Sequence, residues 1–170
     1  ILKVESGDSN CGITLKDNSG EVSVRAIGDD LTFNTASSET ERARIDSNGK
    51  LLIGATSGVN AFTDTVQIFK NTSTAALTIK RASDNAYAPY LNFIKSRGST
   101  ANSATVLQSG DIMGYIRFSG TDGTDTAESA VIQASVDGTP GDNDMPGKLQ
   151  FSTTSDGAAG STERMRIDSN

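Results

Sequence analysis

The residue types best suited to covalent chemistry are scarce in this chain. It has no histidine, which removes the side chain that titrates nearest neutrality and every Ser-His or Cys-His nucleophile. Cys11 is the one cysteine, so neither an intrachain disulfide nor a cysteine-based zinc site can form. Carboxylates remain, in two sequence clusters: Asp122, Asp125 and Glu128, then Asp137, Asp142 and Asp144. At the right separation a pair of carboxylates hydrolyses a glycosidic bond. Both clusters fall in Gly- and Thr-rich stretches where Asp is a turn-former, so they read as solvated loops and the chain reads as a non-enzyme without a cofactor. Asp142-Asn143-Asp144 also offers clustered oxygens, but Pro146 and Thr153 break the EF-hand calcium pattern.

Residues suited to contact are easier to find. Exposed aromatics are common carbohydrate platforms, and Tyr87 and Tyr90, in an apparent loop, are candidates for contact with a surface glycan or a neighbouring subunit. Packing on their own module is the alternative. Asp122 and Asp142 join them as loop candidates. Arg42 and Arg44 alternate with Ala43, and Arg164 and Arg166 with Met165, so a regular strand would set each arginine pair on one face. Anion or sugar binding is one reading of these pairs. Cross-chain pairing with carboxylates such as Asp46, whose counterpart is Asp168, is the favoured one. Asn71-Thr72-Ser73 fits a glycosylation sequon, which matters only in a secretory pathway.

The elements that position these residues follow from the rest of the chain. Its 170 residues suffice for one domain or two small modules. Lys and Arg number 15 against 21 Asp and Glu, a net charge of −6 with pI near 4.6, which argues against nucleic acid and anionic membranes as partners. No apolar run is long enough for membrane insertion as a helix, and the opening residues lack the apolar core of a signal peptide. Hydrophobic residues are 35% and aromatics 5%, with 17 Gly and 3 Pro, a profile that suits short strands and many turns.

An internal repeat organises those strands. Thr40-Glu41-Arg42-Ala43-Arg44-Ile45-Asp46-Ser47-Asn48 returns 122 residues later with only Ala43 changed, to Met165. Upstream, Leu31-Thr32-Phe33-Asn34-Thr35 matches Leu149-Gln150-Phe151-Ser152-Thr153 at a spacing of 118. The difference falls in a Ser-, Thr- and Gly-rich loop, so the unit is strand, loop, strand and an Asp-Ser-Asn turn. Period-2 alternation marks further strands at Ile13/Leu15, Val22/Val24, Val66/Ile68, Leu77/Ile79, Leu91/Phe93, Ile116/Phe118 and 131–136. The expected organisation is a repetitive β segment over 1–54, a linker at 55–60, a compact β module over 61–151 and the start of another repeat over 152–170. Such short strands bury too little apolar surface to hold a monomer together, so association of several chains is expected to supply the core.

Glu163-Arg164-Met165-Arg166-Ile167-Asp168-Ser169-Asn170, preceded by Pro146-Gly147-Lys148-Leu149-Gln150-Phe151, resembles a junction common in bacteriophage tail-fibre and related virion appendage proteins. The first copy continues as Gly49-Lys50-Leu51-Leu52-Ile53-Gly54, and the second ends where that continuation would begin, so the sequence reads as a section of a longer polypeptide. Leu91-Asn92-Phe93, Gly110-Asp111-Ile112-Met113-Gly114 and Ala134-Ser135-Val136-Asp137-Gly138 are similar to the fibre module between two such junctions. The resemblance implies an all-β, elongated homotrimer, as a β-prism or a triple β-helix, often upstream of a self-cleaving chaperone domain. It implies a structural segment that presents a receptor-binding tip for host attachment. The implied partners are the chain itself, other fibre or baseplate proteins and host cell-surface polysaccharide. The implied location is the virion, as an extracellular appendage assembled in the bacterial host cytoplasm. A carbohydrate-binding adhesin whose loops at 97–110 and 120–144 contact host glycans is the second reading.

Overall fold

Alternating apolar and small polar residues, broken by Asp/Asn/Gly turns, produce ten strands and no helix among the residues described by the computed structural model, 3–58 and 64–170. Part of the expected linker, and the first residues of the expected module, lie outside the described residues. The chain divides into two units, Ile1–Thr78 and Ile79–Asn170.

The first unit is a six-stranded sheet in chain order: β1 (Asn10–Lys16), β2 (Glu21–Ile27), β3 (Asp30–Thr35), β4 (Thr40–Ile45), β5 (Leu51–Ile53) and β6 (Val66–Ile68). All neighbours are antiparallel except β5 and β6. The second unit is a four-stranded antiparallel meander of β7 (Ile112–Thr121), β8 (Thr126–Val136), β9 (Gly147–Thr154) and β10 (Ser161–Ile167). Turn chemistry sets the corners. Asp17 accepts the N–H groups of Ser19 and Gly20 at 2.7 and 2.9 Å, and Asp46 accepts those of Asn48 and Lys50, both at 2.9 Å. Gly49 completes the second turn at φ 79°, a region costly for residues with a Cβ.

Register shows that the repeat is larger than the sequence match. In the first sheet Ile13, Val24, Phe33 and Ala43 lie side by side across β1 to β4. Ile116, Ile132, Phe151 and Met165 do the same across β7 to β10. The next rows also correspond: Cys11, Ala26, Leu31 and Ile45 in one sheet, and Gly114, Ala134, Leu149 and Ile167 in the other. Four strands are therefore repeated, although residue identity survives only in the last two.

Two expected strands are absent. Residues around Leu77/Ile79 and Leu91/Phe93 have the alternation but belong to no sheet, and among the described residues no backbone–backbone hydrogen bond involves 70–96. Alternation selects an extended backbone, whereas a strand also needs an edge to pair with. Among the described residues neither segment is paired with a sheet edge.

Candidate functional site

Because side chains alternate across a sheet, each sheet has one apolar and one polar face. The apolar face of the first sheet carries the rows above together with Leu15, Val22, Leu51, Ile53, Val66 and Ile68. These faces are largely uncovered: Leu15 is 66% exposed, Met165 53%, and Ile13, Val24, Phe33, Ile116, Phe118 and Ile167 are exposed too. Most of the buried strand residues lie on the polar faces instead: Ser23, Thr32, Asn34 and Leu52 in the first sheet and Val131 and Ser135 in the second. Long charged side chains bring this about by lying over small polar ones. Arg25 donates from Nε to Ser23 Oγ at 3.1 Å, and Asn34 Nδ2 donates to Thr32 Oγ1 at 3.1 Å beneath them. In the second sheet Gln150 Oε1 accepts from Gln133 Nε2 at 3.1 Å and Ser135 Oγ at 3.2 Å, while Gln150 Nε2 donates to Glu163. Only Leu52, Leu107, Val131 and Val136 are buried hydrophobic residues among those described.

The repeated arginines sit on β4 and β10, where a β-bulge separates the two that simple alternation would put together. Pairing jumps from Phe33↔Ala43 to Asn34↔Glu41, leaving Arg42 as the extra residue. It jumps in the same way from Phe151↔Met165 to Ser152↔Glu163, leaving Arg164. Arg42 Nε then donates to Thr35 Oγ1 at 2.6 Å and Arg164 Nε to Thr153 Oγ1 at 3.0 Å. Arg44, opposite Thr32, falls on the polar face with Glu41, opposite Asn34. Its guanidinium meets the two oxygens of Glu41 at 2.7 and 2.6 Å and also pairs with Asp30. The Glu41 bonds hold the Arg44 pKa above its usual value. Arg166 has looser partners, Glu163 at 3.6 Å and Asp168 at 3.2 Å.

Asp30, and Asp137 from the second carboxylate cluster, fasten the turns that follow. Asp30 accepts the Ser47 N–H at 2.7 Å, and Asp137 accepts the Ser169 N–H at 3.1 Å, with Lys148 3.7 Å away. The Ser169 N–H, more than Lys148, draws the Asp137 carboxyl below its ordinary pKa. Asp30 and Asp137 are not at matching positions of the repeat, so no sequence comparison pairs them.

The remaining sequence candidates are scattered. Asp122 accepts the N–H groups of Thr124 and Asp125, both at 2.8 Å, which lowers its pKa and makes it a turn-former. Glu128 pairs with Arg117 at 2.9 Å and accepts from Ser161 Oγ at 2.7 Å. Asp142 is exposed and accepts from Asn143 Nδ2 at 3.3 Å. Asp46 is engaged by its own turn. Among the described residues no three His, Cys, Asp or Glu side chains gather as a metal-binding group. Tyr87 and Tyr90 are exposed, and Arg81 lies over the Tyr87 ring, 5.5 Å from its centroid.

The architecture is all-β and tail-fibre-like. The carboxy-terminal domain of the bacteriophage T5 L-shaped tail fibre matches it with a TM-score of 0.64 and 16% identity, over 94% of this chain and 75% of that one. A structure of that carboxy-terminal domain with its intra-molecular chaperone domain matches with a TM-score of 0.66 and 17% identity, over 94% of this chain and 52% of that one. At such identities the likeness is one of fold. No protein-family model and no curated protein matches the chain.

Proposed function

We propose that the chain is a structural segment of a phage tail fibre, built as a homotrimer around the apolar sheet faces, that presents a receptor-binding tip for host attachment. The uncovered faces carry this reading. The chain exposes 12740 Å², whereas a compact monomer of this mass exposes about 8,000 Å² and two independent halves together roughly 9,600 Å². An excess of ~3,000 Å² or more per chain is in the range that obligate oligomers bury. The need is built into every copy, so another copy is the partner always present when the chain folds. Three chains packing these faces together would acquire the core that one lacks, and a trimeric shaft would present several tips at once, with gain in avidity. The fold of the T5 fibre domain supports the assignment to a virion appendage, alongside other fibre or baseplate proteins. Antibodies raised against the recombinant chain should decorate the fibres of the source phage in electron micrographs. Labelling confined to unassembled protein would count against the proposal.

A second reading, direct glycan contact, has the support of Tyr87 and Tyr90, which are 68% and 67% exposed. Arg81 covers one side of the Tyr87 ring and leaves the other for the apolar face of a sugar. Glycan-array binding lost in Tyr87→Ala would establish this role. An array without signal would remove it.

A further inference from the structure

Phe93 and Ile94 are neighbours exposed to different degrees, Phe93 at 52%. Phe93 packs on the apolar face of the second sheet over Gly114, where a Cβ would stand 2.8 Å from Phe93 Cβ. Beside this contact lies a groove of about 430 Å³ lined by Leu91, Phe93, Ile116, Ile132, Ala134 and Leu149, among others. Ile94 is 91% exposed, more than any other large hydrophobic side chain among the described residues. Extended backbone turns successive side chains to opposite sides, so the contact that seats Phe93 on its own sheet directs Ile94 away from it. Among the described residues the flanking backbone has no ladder partner.

We propose that Ile94 of one copy inserts into the groove on the second sheet of the next copy. The inference rests on the self-association proposed above and specifies its contact. A second copy is the fitting occupant for two reasons. The surplus exposed area is of the size a stable oligomer removes. The protruding side chain and the groove it needs are both present on every chain, at different places, and such a heterologous contact closes into a ring when the rotation between copies permits. It also brings the extended backbone around Ile94 beside another chain's sheet.

Cross-linking between singly substituted chains tests this contact. In a Cys11→Ser background, one chain carries Ile94→Cys and another Ala134→Cys, so that no chain can form a disulfide within itself. The two are co-expressed, oxidised and resolved by mass under non-reducing conditions. A covalent dimer of one chain of each kind is the expected product. Multichain particles by light scattering that form no such dimer would overturn the Ile94 contact while leaving self-association standing. Dimers only between Ile94→Cys chains would overturn it as well, by placing Ile94 against its own counterpart. A single-chain mass for the native sequence would overturn both proposals. Ile94→Asp, which alters a side chain with few contacts in its own chain, should keep the strand signal in circular dichroism and raise the dissociation concentration by about tenfold or more. Unchanged dissociation would contradict the proposal.

Discussion

Arg164 donates from Nε to Thr153 Oγ1 across 3.0 Å, and both residues flank a loop that is longer than its counterpart between Thr35 and Thr40. The matching bond, Arg42 to Thr35, is 2.6 Å. The extra residues of the second loop are thus accommodated between β9 and β10 while the bulge at its base is kept. Since the bulge sets which face receives the following residues, the Arg-Thr bond is expected to protect register. Thr153→Val should cost about 1 kcal/mol in chemical denaturation and increase hydrogen exchange at the N–H groups of β10. Unaltered exchange there would show that the bulge is held by other means.

The two copies of the arginine motif should differ in energetic weight. Arg44 has a side chain 15% exposed and two carboxylate partners, so Arg44→Met leaves Glu41 and Asp30 facing each other without a cation. A loss of about 1–3 kcal/mol is expected. Arg166 is 50% exposed with longer contacts, and Arg166→Met should cost less than ~1 kcal/mol. Denaturation curves of the two variants check the order, and equal losses would contradict it.

Gly114→Ala places a methyl group against Phe93 Cβ and Cγ, at 2.8 and 3.0 Å. Phe93 must move off the sheet, and a loss of about 1–3 kcal/mol is expected. Gly120→Ala in the same strand meets nothing within 4 Å and serves as the control in thermal melts. Equal melting temperatures for the two variants would show that the Phe93 contact is not formed.

Acid should loosen the turn after β10. Accepting the Ser169 N–H lowers the folded-state pKa of Asp137, so the contribution of this bond is present above the unfolded carboxylate value near ~3.9. It is lost as pH falls through the lower, folded value. Carboxyl-carbon NMR should give Asp137 a midpoint below the ordinary Asp value, with the Ser169 N–H shift following the same curve. A midpoint at or above the ordinary value would rule out the bond.

The all-β class was legible because period-2 alternation is local: the residues that fill the apolar rows, such as Ile13, Val24 and Phe33, announce their face without reference to any neighbour. The repeat was legible only over β3 and β4 and over β9 and β10, where bulge, turn and ion pair demand particular residue types. In β1, β2, β7 and β8 most rows ask only for an apolar residue, so Val24 can stand where Ile132 does, and identity is lost. The split of Arg42 from Arg44 was hidden because a bulge depends on cross-strand register. The turn-fastening roles of Asp30 and Asp137 were hidden because their bonds to Ser47 and Ser169 join positions that sequence proximity does not relate. Leu77/Ile79 and Leu91/Phe93 show the converse: alternation reports an extended chain, and pairing requires an edge within reach, which alternation does not encode.

If other copies of the chain cover the apolar faces, the solution mass of the recombinant protein reveals it. Light scattering across a range of concentrations should give the mass of three chains, each of 17.7 kDa. Phe33→Glu together with Met165→Glu, on the exposed apolar faces of the two sheets, should reduce that mass. A folded, monodisperse single chain for the native sequence at every concentration would show that the apolar faces are not covered by other copies.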